Sequence, residues 1–95
     1  MTEKELLITL LGKDKAEIHM GSTQEFIDRC LAAYHNNYGF EKPFTFPILV
    51  RNYSEARCYY YQAMADKKTA QEINAENDNV RAAEAALIDF SFKKN

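Results

Sequence analysis

The chain has 95 residues, with twelve basic and fourteen acidic side chains and a formal charge of -2. That length suits a single domain over residues 1–95, because two separate cores would each sit near the lower limit of unaided folding. The near-balanced charge argues against strong nonspecific binding to nucleic acid or to an anionic membrane, and equally against a highly acidic DNA mimic. No apolar run exceeds five residues, too short for a membrane-spanning helix, and Glu3 and Glu5 are out of place in a signal peptide. A cytoplasmic setting is expected. The hydrophobic fraction is 46%, yet twelve of those residues are alanines and only 21 are Leu, Ile, Val or Phe. The core is therefore modest, and an interface shared between subunits would widen its margin.

Thr2 and Glu5 have the spacing of a capping box, followed by Leu6, Leu7, Leu10 and Leu11 on one helical stripe and by Gly12 as the stop. Residues 13–21 are ambiguous. Ala16, Ile18 and Met20 alternate with Glu17 and His19, which fits a short strand closed by Gly21 as well as an extended loop. Ser22 and Glu25 form a second capping box ahead of Phe26, Ile27, Cys30, Leu31 and Tyr34, with Asn36, Asn37 and Gly39 ending that helix.

Pro43 and Pro47 push Lys42 and Phe46 towards extended geometry, so Phe40 to Val50 reads as a packed connection. Phe44, Phe46, Ile48 and Val50 alternate as in a strand, and pairing of residues 16–20 with 44–50 would give a small two-stranded β ribbon covered by helices. Beyond Pro47 there is neither glycine nor proline, and Asn52 with Glu55, or Ser54 alone, can start a long helix.

A single helix from Ser54 to Phe90 would be about 55 Å long at 1.5 Å per residue, against a radius of gyration of about 13 Å for a compact chain of 100 residues. It must break or protrude. Tyr59, Ala63, Ala70, Ile73, Val80 and Leu87 keep an approximate helical rhythm that fits one continuous helix, while Thr69 with Glu72 has capping-box spacing after Asp66, Lys67 and Lys68, which offers a break near 66–69. The poor helix formers Asn77, Asp78 and Asn79 offer another near 77–79. Between Ala65 and Asn79 the only large apolar residue is Ile73, so residues 65–95 read as a protruding helical arm. The expected fold is mainly α, with three to four helices, a long C-terminal helix or helix pair, and the short ribbon.

His19, Cys30, His35 and Cys58 match a tetrahedral zinc in number but lack the short cysteine or histidine pairs of known sites, so no metal is expected. Cys30 on an apolar helix face reads as a small buried hydrophobe. Cys30 and His35 are roughly 140° apart around a helix, too far for a local dyad. Glu72 and Glu76 share a face, but in the least hydrophobic segment and near Lys68, where a solvated charge pattern suffices. The scattered Gly12, Gly21 and Gly39 make no phosphate loop. No enzyme and no cofactor are expected.

The tyrosines call for more explanation. Tyr59, Tyr60 and Tyr61 are consecutive and cover about 300° of a helix, so at least one lies at a rim or on the surface. Tyr53 precedes them, and Arg51 and Arg57 are close by. Ordinary packing, a protein interface and contact with nucleic acid all fit this grouping, in that order. The reading that results is a non-catalytic interaction or regulatory protein. It would bind a protein partner through Arg51, Tyr53, Arg57, Tyr59, Tyr60 and Tyr61, and self-associate as a homo-oligomer through Ile73, Val80 and Leu87. A nucleic-acid-associated regulator using Arg51, Arg57, Lys67, Lys68 and the tyrosines is the alternative. A small enzyme centred on Cys58 or on a carboxylate pair is a third reading.

Overall fold

In the computed structural model, which describes residues 2–39 and 44–93, four helices account for nearly all of the backbone: α1 (Glu3–Leu11), α2 (Lys13–Tyr38), α3 (Thr45–Ala65) and α4 (Ala70–Phe92). No strand occurs among the described residues. The first helix starts as its sequence indicates, with the Glu5 amide donating to Thr2 Oγ1 at 3.2 Å. It ends at Gly12, whose φ of 87° is open to glycine and costly for other residues.

The expected ribbon does not form, because both of its halves are helical. α2 runs through residues 13–21 without a break and brings Ala16, Met20, Ile27, Cys30 and Tyr34 inward at helical spacing. The alternation over 16–20 is a window too short to separate the two periods. Ile18, which a strand would have placed beside Ala16 and Met20, is instead 70% exposed. Gly21 lies within the helix, as do Ser22 and Glu25, so the second capping box is not used as a start. The stop is where the sequence puts it: Gly39 takes a φ of 60° and donates to the His35 carbonyl at 2.9 Å.

Residues 44–50 are likewise helical from Thr45 onward. Pro47 falls in the first turn of α3, where backbone amides have no intrahelical acceptor and a missing donor costs nothing. Helical spacing turns Phe46 inward and leaves Phe44 and Ile48 exposed. The start of α3 thus precedes the expected Asn52 or Ser54. The connection expected over Phe40 to Pro43 lies outside the described residues.

The C-terminal half breaks once, at 66–69, and Asn77 to Asn79 remain helical. Lys67 adopts a left-handed φ of 54°, its amide donates to the Met64 carbonyl and that of Lys68 to the Ala63 carbonyl. Those two bonds make a Schellman cap with lysine at the position where glycine is usual. Thr69 Oγ1 then accepts from the Glu72 amide at 3.2 Å and opens α4. α3 and α4 form an antiparallel hairpin with the most extensive helix contact of the fold, and α2 lies mainly against α1 and α4.

Two cores result. The larger joins Cys30, Tyr34, Phe46, Tyr53 and Leu87, flanked by Phe26, Leu49, Val80 and Phe90. Its rings stack, Tyr34 on Phe46 and on Phe90 at 5.5 Å each, and Tyr38 on Phe90 at 5.4 Å. The end of α4 is tied to α2 by Asn37 Nδ2 donating to the Ser91 carbonyl and the Tyr38 hydroxyl donating to that of Lys93, both at 2.8 Å. The smaller core joins Leu6, Leu7, Ala16 and Tyr61, flanked by Leu10, Met20, Tyr60 and Met64. The radius of gyration is 14.6 Å and the extents are 42 × 28 × 17 Å, an elongated shape that follows the long α2.

Candidate functional site

Between the two cores runs a narrow polar seam. Arg57 of α3 is 5% exposed, with its guanidinium 4.4 Å above the Tyr53 ring and 2.9 Å from the Glu3 carboxylate of α1. The ion pair is close but not aligned as a hydrogen bond, and Arg57 Nε has no hydrogen-bond partner either. A desolvated pair of this kind stabilises little on balance, yet removal of one member is costly, so it favours one docking position for α1 over others.

At the same end of the bundle, α1, the start of α2 and the end of α3 enclose an open cleft of about 370 Å³. Leu7, Leu10 and Leu11 form one wall, Tyr60, Tyr61 and Met64 the other, and His19 stands at the side. The imidazole Nε2 and the Tyr61 hydroxyl are hydrogen-bonded at 2.7 Å, with the rings edge to face. Burial pushes the Tyr61 hydroxyl up to about 12, so the phenol stays neutral at physiological pH. Apart from that pair and Tyr60 the lining is aliphatic or thioether. A cleft of this size and character can hold an apolar side chain or a small apolar molecule.

A second groove, of about 320 Å³, lies at the turn end of the hairpin, on another face of the same stretch of α3, between Tyr59, Gln62 and Ala63 on α3 and Glu72 and Glu76 on α4, with Asp66 and Lys68 from the turn. Asp66 there accepts a hydrogen bond from Gln62 at 2.9 Å.

The residues singled out from the sequence divide sharply. Tyr53 and Tyr61 are buried within the chain's own cores, Arg57 is buried in the seam between them, and Leu87 is completely enclosed. Val80 packs half-buried on the larger core and Ile73 is half-buried on the thinly covered part of α4. Arg51 is exposed, Tyr59 is 66% exposed and Tyr60 is half-buried at the cleft. The three consecutive tyrosines thus face three environments, as their helical angles require. Burial raises both thiols, Cys30 and Cys58, with the Ser91 hydroxyl partly offsetting the rise at Cys30, so neither is an activated thiolate at neutral pH. Among the described residues no three His, Cys, Asp or Glu side chains converge as a metal site, and no helix is long and apolar enough to cross a membrane.

Sequence reasoning missed the roles of Glu3, His19 and Met64. The His19 partner is 42 residues away and the Glu3 partner 54, and no local pattern announces either pairing. Compared with known protein families, with curated proteins and with solved structures, the chain matches none.

Proposed function

We propose that this chain is a non-catalytic protein-interaction module that self-associates through its leucine-lined end. The observation that carries the reading is the concentration of apolar surface there. Ile8 and Leu11 of α1 are 36% and 44% exposed, Ile18 of α2 is 70% exposed, and Leu11 lines a cleft whose walls are largely apolar. Exposed apolar surface flanked by charge is the usual mark of a protein contact, and the exposed Lys4, Glu5, Lys13, Asp14 and Lys15 flank these positions along the chain. The expectation of self-association is kept, while its surface moves from Ile73, Val80 and Leu87 to the first two helices, because Leu87 is consumed by the fold.

The nucleic-acid alternative has less to stand on. Arg57 is committed to Glu3 and Tyr53, which leaves Arg51 and the turn lysines Lys67 and Lys68, the latter beside three carboxylates. Light scattering after gel filtration tests the proposal. The mass should rise from that of one 11.0 kDa chain towards twice that value across the micromolar range, and Leu11→Glu should hold it at one chain. A wild-type mass that never leaves the single-chain value would remove the reading.

A further inference from the structure

The connection between α1 and α2 is a single residue. Gly12, with φ 87° and ψ 162°, donates to the Ile8 carbonyl at 2.9 Å and accepts from the Ala16 amide at 3.0 Å, both in helical i to i-4 register. Only three helical bonds are lost at the bend, those from Lys13, Asp14 and Lys15 to Thr9, Leu10 and Leu11. The start of α2 gains no side-chain cap in exchange. Straightening at Gly12 would restore those bonds and fuse the two helices over residues 3–38.

Such a helix would gain a feature that the bent form lacks. Ile8, Leu11 and Ile18, now exposed on two separate helices, are spaced by three and then seven residues and would fall on one face, a spacing suited to a partner helix. What opposes straightening is the docking of α1 itself, since Leu6 and Leu7 are buried almost completely and Glu3 pairs with Arg57. A second copy of the chain offers the same groove with the same charge complement.

We infer that α1 is an exchangeable element: Gly12 straightens, and the Leu6, Leu7 and Glu3 of each chain dock on the α2–α3 groove and Arg57 of another, giving a two-fold exchanged dimer. This rests on the self-association proposed above and specifies its geometry. The exchange closes both chains on each other and keeps both cores filled.

Two experiments test it. A Cβ at position 12 would meet nothing within 4 Å, so Gly12→Ala introduces no clash and acts on φ alone, disfavouring the bend and favouring the helix. It should tighten dimerisation at least tenfold. Second, Glu3→Arg and Arg57→Glu each place like charges at the α1 contact. Unfolded together and refolded in equal amounts, the two variants restore both pairs only in an exchanged heterodimer. The mixture should run at twice the mass of either variant alone and recover a higher melting temperature. A mixture that behaves as the sum of its parts overturns exchange even if the wild type self-associates, which would then be by surface contact. If neither the wild type nor Gly12→Ala ever dimerises, both readings fall.

Discussion

The two cores are held on different terms. The aromatic core is closed by three helices at once, with rings stacked in series and the last turn of α4 bonded to α2 through Asn37 and Tyr38. The leucine core depends on one nine-residue helix, held by Leu6, Leu7 and one ion pair and joined to the rest through a single glycine. A helix that short is marginal on its own in water and takes its stability from docking. The difference teaches where the fold is committed and where it is free to be rearranged: the hairpin with α2 is the frame, and α1 is the part that can leave it.

Leu87→Ala bears most heavily on that division. Leu87 is fully enclosed by the frame, so its truncation should cost about 4 kcal/mol and lower the denaturant midpoint of the whole chain, read by circular dichroism. Leu7→Ala should cost about 3 kcal/mol but act locally. Hydrogen exchange should show the amides of α1 losing protection while those of α3 and α4 keep it, and equal loss in all helices would mean that the two cores are one cooperative unit.

Alkaline pH offers a third probe. Below about pH 10 the Tyr61 phenol is neutral in both folded and unfolded chains and stability is unchanged. Above it the unfolded chain releases a proton that burial makes the folded chain retain up to about 12, so stability falls as pH rises between those values. The loss should be on the order of 2 kcal/mol, read from denaturant midpoints measured across that pH range. The smallest effect has the opposite sign. Lys67→Gly removes the steric cost of a left-handed lysine, less the entropy that glycine adds to the unfolded chain, and should raise stability by about 0.5 kcal/mol, read as a higher denaturant midpoint.

Elements whose signals are local were legible. Thr2 with Glu5 and Thr69 with Glu72 cap the helices that their spacing indicates, and Gly12 and Gly39 stop theirs. Ser22 with Glu25 carries the same pattern and caps nothing, because a helix that gains more by continuing overrides a start signal placed inside it. The ribbon failed for a related reason. Three or four alternating residues fit both periods, and only the partner surfaces of Ala16, Met20 and Phe46 select between them. The break at 66–69 had a visible start at Thr69 and a hidden stop at Lys67, since nothing in a lysine announces a left-handed residue.

The candidate site was legible only in outline. The sequence sufficed for a helical chain of modest core, with a leucine stripe at one end and tyrosines too numerous for one face, because helical period and capping act between neighbours. Which tyrosines are consumed by the fold, that Arg57 belongs to Glu3, and that the open cleft lies beside α1 were decided by the tertiary structure alone. Those outcomes depend on which helices meet, and burial at a contact between residues dozens of positions apart leaves no trace in the spacing of either one.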